Sequence, residues 1–321
     1  MLDMRQLRYF AAIVEHGSFS RAAEALRIAQ PSLSLHVRNM EAALGTPLLF
    51  RTARGVTPTE AGSILLRHAR VILGQLTAAE EEIRGHDSDP AGEVRLGLPG
   101  TISQILAVPL IRETHRRHPR IKLRIAEAMS GFVLEWMREG RIDLAVLYGE
   151  ARDHGLQTER VLDEDLHFFG PPAMADDDGL PPGGSDIGFG RLMDLPLILP
   201  GNGHGLRDLL RRYADHGDLS LNTVIDVDSY SNIKALVIDG MGYSILPPNA
   251  IAAELGRGQL RAWTICDPQI RRSVHLTHAT DRPQTNAVCA VLALARDTLI
   301  DLSRTGQWAG TRLVTPEKDT P

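Results

Sequence analysis

Residues 18–58 constrain this chain more than any other stretch. Ser18-Phe19-Ser20-Arg21-Ala22-Ala23-Glu24-Ala25-Leu26 spells a short helix with small apolar residues on its inner side. Ala29-Gln30-Pro31-Ser32-Leu33-Ser34-Leu35-His36-Val37-Arg38 then opens a longer helix, with Pro31 in the first turn, where a missing N–H costs nothing. A tight turn joins the two, which is the outline of a helix-turn-helix. The run Arg51-Thr52-Ala53-Arg54-Gly55-Val56-Thr57-Pro58 is polar, basic and glycine-containing, and suits a β-hairpin wing beside it.

The helical period divides the second helix into two faces. Leu33, Val37, Met40 and Leu44 step by four, three and four and share one buried stripe. Turning 100° per residue from Leu33 puts Pro31, Ser34, Leu35 and Arg38 on the opposite side. That face is small, hydroxylic and cationic, as insertion into a major groove requires. Arg38 suits a guanine edge or a phosphate, and Ser34 suits either. An amphipathic helix with a merely wet side has the same pattern; the turn, the small-residue helix and the basic wing decide for DNA. Expected at base edges are Gln30, Pro31, Ser34, Leu35 and Arg38, with Ser32 beside them. Ser18, Ser20, Arg21, Arg51 and Arg54 are expected on phosphates.

Five blocks carry a more specific resemblance. They are Met4-Arg5-Gln6-Leu7-Arg8-Tyr9-Phe10, Gly17-Ser18-Phe19-Ser20-Arg21-Ala22-Ala23, Ala29-Gln30-Pro31-Ser32-Leu33-Ser34, Gly45-Thr46-Pro47-Leu48-Leu49-Phe50-Arg51 and Val56-Thr57-Pro58-Thr59-Glu60-Ala61-Gly62. In this order they resemble a LysR-type transcriptional regulator. Gly97-Leu98-Pro99-Gly100-Thr101 and Leu197-Ile198-Leu199-Pro200 look most like the nitrogen assimilation control subgroup. The resemblance implies paired winged helix-turn-helix domains on promoter DNA, a linker helix that dimerises, and effector domains that join into a homotetramer. It also implies that ligand between two lobes shifts the DNA-binding pairs and alters contact with RNA polymerase. Regulators resembling this subgroup are also controlled by abundance, without an effector. Leu35 departs from the family, where a polar residue is commoner; a thymine methyl is its alternative partner.

Charge agrees with this division. Residues 1–58 hold seven arginines and four acids, a net +3, so the overall −5 leaves −8 for the remainder. Cation in a small N-terminal domain is what a phosphate backbone attracts. Two distant cysteines, Cys266 and Cys289, make no disulfide framework and point to a reducing cytoplasm. No signal peptide and no membrane-length apolar run is seen, so the expected location is cytoplasmic, with no membrane partner.

From Thr59 the pattern is one long helix. Leu65, Ala69, Ile72, Leu76, Ala79 and Ile83 step by four and three in alternation, the 3.5-residue period that marks a two-helix seam. Leu65, Ile72, Leu76 and Ile83 are the expected dimer contacts; the alternative is a helix packed on its own domain. The helix ends near Gly85, and His86–Gly92 reads as a linker.

Beyond Gly92 strands and helices alternate, which means parallel sheet with crossover helices. The first unit is Glu93–Leu98, a helix to His118, Ile121–Ile125, a helix over Phe132–Glu139, and Ile142–Leu147. The second runs from Leu197–Leu199 to Tyr243–Leu246, and Val274–Thr277 with helix Asn286–Leu302 returns to the first. The expected fold class is α/β with an all-α winged helix-turn-helix N-terminal domain, a long linker helix and a bilobed effector domain. Its two Rossmann-like subdomains, of the periplasmic-binding-protein type, are crossed near residues 162 and 267. The expected limits are 1–58 for DNA binding, 59–91 for the linker helix and hinge, and 92–303 for the effector domain. Lobe I is 92–162 with 267–303, lobe II is 163–266, and 304–321 is a polar tail with Trp308 unexplained. Residues 171–190 read as a flexible surface insertion.

Ligands in open parallel sheets sit at strand carboxyl ends, where helix N-termini point. Four strand-to-helix turns offer backbone N–H groups to a small anionic metabolite: Pro99–Thr101, Met129–Gly131, Asn202–Gly205 and Asp228–Asn232. Gly100, Thr101, Ser130, Gly131, Asn202, His204 and Ser229 are the expected effector contacts, with Tyr148 at the rim. Singly, each is equally an N-cap or turn residue of any α/β fold. No cofactor, metal or catalytic residue is expected. Gly201–Gly205 lacks the P-loop Lys-Ser/Thr; His115 and His118 lie beside two arginines on a solvated face; Asp176-Asp177-Asp178 is too irregular for a calcium loop. No nucleophile elbow or paired-carboxylate signature supports an enzyme. A periplasmic solute-binding protein needs an export signal and has no use for residues 1–85.

Overall fold

The structure is a computed structural model that describes residues 2–52, 55–84, 89–172, 179–281 and 284–314. Arg54, residues 85–88 of the linker, Asp176–Asp178 and the end of the tail from 315 lie outside the described residues. The chain divides into two compact units, one built mainly by residues to Ser88 and the other by the bulk of the chain from Asp89.

The first unit begins with α1 (Met4–His16), started by a capping box in which Asp3 and Gln6 serve each other's backbone N–H. Next come α2 (Phe19–Leu26) and α3 (Gln30–Leu44), the latter with Pro31 in its first turn. Phe10, Ile13, Phe19, Ala22, Leu33, Val37 and Met40 form the core between the three helices. Leu44, expected in that stripe, is exposed: the core stops at Met40, and Leu44 is the last residue of α3, followed by the left-handed Gly45. Strands β1 (Leu49–Thr52) and β2 (Gly55–Pro58) pair antiparallel as the wing. The 25-residue α4 (Glu60–Arg84) follows. Thr59 caps it through Gly62 N–H at 3.0 Å and donates to the Pro47 carbonyl at 2.8 Å. A methyl group on Gly62 would overlap the Leu48 carbonyl oxygen, so only glycine lets the helix approach this closely.

Lobe I of the second unit is a six-stranded sheet in the order β14-β6-β13-β5-β3-β4. Here β3 is Gly92–Leu98, β4 Ile121–Glu127, β5 Leu144–Tyr148, β6 Leu156–Asp165, β13 Arg271–Ala279 and β14 Thr311–Leu313. The expectation of parallel pairing holds for β3 with β4 and β5; β13 and β14 run antiparallel, so the sheet is mixed. Helices α5 (Gly100–Arg117), α6 (Ser130–Arg138) and α10 (Asn286–Arg304) belong to this lobe. Lobe II joins β11 (Ser244–Leu246), β7 (His167–Gly170), β12 (Arg261–Cys266) and β8 (Asp186–Gly188) in that order. The parallel pair β9 (Leu197–Leu199) and β10 (Thr223–Asp226) adds to it through a bridge between Leu197 and Tyr243. Helices α7 (Gly205–His216), α8 (Tyr230–Ile238) and α9 (Pro248–Gly256) accompany it.

Three expected boundaries shift. The first crossing falls at Leu166 rather than 162, because β14 and β13 hold β6 in lobe I as far as Asp165. The expected tail is folded to Val314: Trp308 is buried in the lobe I core, and β14 closes the sheet edge. The expected insertion at 171–190 is in part structural. Trp263 Nε1 donates to the Pro181 carbonyl at 2.8 Å, Ile187 and Phe189 are buried, and β8 pairs with β12. Large apolar residues at both ends of a loop were a sign of this; the prolines between them masked it.

Candidate DNA-recognition face and interlobe cleft

In the first unit Gln30, Pro31, Ser32, Leu35 and Arg38 are exposed together on α3. Ser34 is not. At 100° from Leu33 it lies on the edge of the buried stripe, where its hydroxyl accepts a 3.1 Å bond from Gln30 Nε2. Its contribution is therefore to orient Gln30. Ser18 is the N-cap of α2, and Ser20 and Arg21 are exposed on the same helix. The Arg51 guanidinium stacks on the Phe19 ring at 4.6 Å, which brings the wing's cation beside the start of α2. Val56 N–H donates to the Gly17 carbonyl at 2.9 Å, tying the wing to the turn before that helix. The wing, the α2 start and the α3 face thus form one basic surface with no acid bonded to its described arginines.

Along α4 the first turns belong to the core through Leu66 and Ala69, and Arg70 pairs with Glu15 at 3.6 Å. Leu65 and Leu76 are half-buried, whereas Ile72 and Ile83 are exposed, Ile83 to 85%. A large apolar side chain standing in water at helical spacing asks for a partner.

Within the second unit a cavity of about 720 Å³ separates the two lobes. Gly100, Ser130, Gly131, Tyr148, His204 and Ser229 line it. Thr101 does not: it is fully buried behind Tyr148, bonded hydroxyl to hydroxyl at 2.7 Å. Asn202 faces away and accepts from Arg211 Nη2 at 2.6 Å. Several turns expected to offer free N–H groups carry their own caps. His204 Nδ1 accepts from Leu206 N at 3.1 Å, Ser229 Oγ from Asn232 N at 3.4 Å, and Asp228 from Gly201 N at 3.0 Å.

The floor of the cavity is a charged network under aromatic cover. Arg272 is buried. Its Nε donates to Glu164 Oε2 at 2.7 Å, its Nη2 to Thr101 Oγ1 at 3.2 Å, and its guanidinium stacks 3.4 Å from the Tyr148 ring centre. The Tyr230 phenol meets His204 Nε2 at 3.2 Å and lies within reach of the Arg272 charge. Burial pushes the Tyr148 and Tyr230 phenols up. Burial also works against the Arg272 charge, but Tyr148 and Glu164 outweigh it and hold the guanidinium protonated. His204 is pushed below the ordinary imidazole value, first by burial, against the opposing pull of Asp228. Arg271 is held by Asp165 at 2.8 Å. Arg212 lines the cavity with no carboxylate bonded to it among the described residues, and Glu127 and Glu135 likewise face it without a bonded cation.

Two family descriptions match this chain: "Bacterial regulatory helix-turn-helix protein, lysR family" over residues 4–63, and "LysR substrate binding domain" over residues 87–300. The chain belongs to the LysR family of transcriptional regulators.

As a LysR-family regulator it is 30% identical to the nitrogen assimilation regulatory protein nac of Klebsiella aerogenes, over 91% of this chain and 94% of that protein. The regulator BbuR of Bordetella bronchiseptica is equally similar, 30% identical over 96% and 94%. The first match supports the expected subgroup; the second shows that identity alone does not single it out. A full-length OxyR variant of Pseudomonas aeruginosa superposes with a TM-score of 0.80, covering 99% of each chain at 23% identity, which shows the fold. CbnR, solved in complex with its target DNA, gives 0.54 over 92% of this chain and 99% of that one, at 22% identity. No helix among the described residues is long and apolar enough to cross a membrane.

Reading the sequence missed Arg272, Glu164 and Tyr230. Arg272 sits beside a second arginine and Glu164 between two aspartates, so nothing local marks either as the buried one. Their pairing spans 108 residues and exists only once β6 and β13 lie side by side.

Proposed function

We propose that this LysR-family regulator grips promoter DNA with the α3 face and the wing, does so as a homodimer or homotetramer, and reads a small metabolite in the interlobe cleft. The exposed, unpaired Arg38 among Gln30, Pro31, Ser32 and Leu35 carries the DNA part. Arg21 and Arg51, beside Ser18 and Ser20, take phosphates, and Arg54 joins them. Exposed Ile72 and Ile83, in step with Leu65 and Leu76, support a seam between two copies of α4; one helix-turn-helix grips too little DNA for specificity. CbnR, a relative solved with its target DNA, supports the same mode. Contact with RNA polymerase from the DNA-bound assembly is part of this reading, as is a cytoplasmic location.

The cleft's charges narrow the ligand. Arg272 and Arg271 are committed to Glu164 and Asp165, so Arg212 and the start of α6 at Ser130 and Gly131 remain for an anionic group. Glu127 and Asp228, on opposite lobes, call for a positive one. Gly100 is so placed that a side chain there would touch both Glu127 and Tyr230. A zwitterion such as an amino acid fits this lining better than a plain carboxylate, and drawing the two acids together closes the lobes. A ligand switches the protein only if it favours one lobe arrangement.

Thermal-shift screening of the full chain against carboxylates, amines and amino acids tests the cleft. At a hundred times its Kd a specific ligand adds about 2.7 kcal/mol. Amino acids alone raising the melting temperature is the expected result; plain carboxylates alone would reverse the charge reading. A blank from all three classes would favour a regulator controlled by abundance.

A further inference from the structure

The C-terminal segment touches one of the two hinge strands and a helix of lobe II. After α10 the chain turns back at Gly306 and runs along β6 as β14. Trp308 is buried, its indole Nε1 donating to Glu164 Oε1 at 2.7 Å. Thr311 Oγ1 closes the turn onto the Trp308 carbonyl at 2.7 Å. Asp165 N donates to the Gly310 carbonyl at 2.8 Å, and Arg312 reaches the Asp165 carboxylate at 3.5 Å. Gly310, at φ +75°, presses against lobe II: a Cβ there would stand 2.6 Å from Pro248 Cγ in α9. One short segment is thus bonded to a hinge strand of lobe I and packed on a helix of lobe II.

Glu164 connects this segment to the cleft. It is fully buried and divides its two carboxylate oxygens, one to the Trp308 indole and the other to Arg272. Arg272 in turn holds Thr101 at the start of α5 and the ring of Tyr148 at the end of β5, and its charge reaches the phenol of Tyr230 at the start of α8. A buried carboxylate with both oxygens engaged has no freedom to turn; releasing one frees it to follow its remaining partner.

We propose that Thr305–Leu313 is a strap across the hinge. Through Trp308 and Glu164 it positions the Arg272 guanidinium under the cleft, and through Gly310 against Pro248 it sets the resting angle of the lobes. Any rotation of lobe II about the two hinge strands moves Pro248 relative to Gly310, so closing the cleft strains the strap. The same contacts make this segment a place from which cleft closure is tuned. The regulatory meaning rests on the cleft being the effector site, but the strap itself is tested without a ligand.

The experiment is hydrogen–deuterium exchange on the full chain, wild type against Trp308→Phe, which keeps one aromatic ring and removes the indole N–H together with the second ring. A strap predicts exchange faster by about tenfold at Thr101–Ser103 and Tyr230–Ile233, across the cleft from the substitution, as local opening there becomes easier. Faster exchange confined to β14 and the end of α10, with both cleft segments as in the wild type, would overturn the proposal and leave Trp308 a core residue. Glu164→Gln keeps the shape but leaves one acceptor oxygen for two donors, so exchange at the same two segments is expected to quicken as well. A third variant, Gly310→Ala, pushes on Pro248 without touching the indole; it is expected to speed exchange at Tyr230–Ile233, and no change there would remove the lobe II half of the proposal. Because none of these measurements uses a metabolite, a cleft that binds none leaves their outcome intact.

Discussion

The recognition face of α3 and the floor of the cleft treat their charges in opposite ways. On α3, Arg38 stands in water with no bonded acid, surrounded by residues one helical turn away. In the cleft, Arg272 is buried and committed to groups from β6, α5 and β5. The first arrangement keeps a cation cheap to bring to a phosphate or base, since little must be broken before contact. The second fixes a cation in place at the cost of desolvation, which a single carboxylate and two hydroxyl-bearing rings offset. A surface built for a partner leaves its hydrogen bonds unmade; a floor built to hold shape makes them internally.

That contrast is broken most directly at Glu164. Replacing it with alanine leaves the Arg272 charge buried and unpaired, and urea denaturation is expected to show a loss of about 3–5 kcal/mol in the second unit. A loss under about 1 kcal/mol would mean that Arg272 escapes to water and that the floor is not a fixed frame. Gly62→Ala comes next. The added methyl meets the Leu48 carbonyl oxygen, so a destabilisation of about 1–3 kcal/mol and weaker DNA binding are expected together. Comparable in size, but confined to binding, is Arg38→Ala. Against DNA selected from a random pool by the wild-type protein it is expected to lose about 1–3 kcal/mol, with less lost on unselected DNA. Equal losses on both would move Arg38 from bases to backbone.

The smallest expected effect is acid sensitivity. Burial lowers the pKa of His204, and of His275 and His167, below the ordinary value of 6.5. The unfolded chain therefore binds more protons, so the stability these rings contribute is complete above pH 6.5 and is lost as pH falls through their lowered values. His204 adds a local reason, because protonating Nδ1 removes the acceptor that caps α7. His204→Asn keeps a cap without a titrating ring. The melting temperature of that variant is expected to fall less than the wild type's between about pH 7 and about pH 5.5; parallel curves would show that His204 takes no part.

The two regions also differ in how far they can be read from sequence. The α3 face is local: a period of 3.6 residues sorts Leu33, Val37 and Met40 from Leu35 and Arg38, and only Ser34, at the edge of the stripe, and Leu44, past the end of the core, fall on the wrong side. The strand and helix order of the second unit was legible for the same reason. The cleft floor was not, because Glu164, Arg272 and Trp308 come from three distant segments whose composition is unremarkable until β6, β13 and β14 are paired. Capping had a related effect: the turns at His204 and Ser229 were placed correctly, but sequence does not tell whether a cap side chain spends itself on its own helix. Trp308 stood out as an isolated aromatic in a polar stretch, a mark of burial that its neighbours hid.

The glycine at position 62 has a mechanical consequence. Because the Leu48 carbonyl fills the space a side chain would take, and Thr59 is bonded to Pro47, α4 leaves the wing side of its own unit with no slack at the root. Its 25 residues make a rod about 37 Å long. Tilting such a rod by a single degree displaces its far end by roughly 0.6 Å, given that length, and the relation works in reverse. A small sideways push at the distal end becomes a definite rotation of the recognition surface, as with a torque wrench whose socket is cut to fit one bolt.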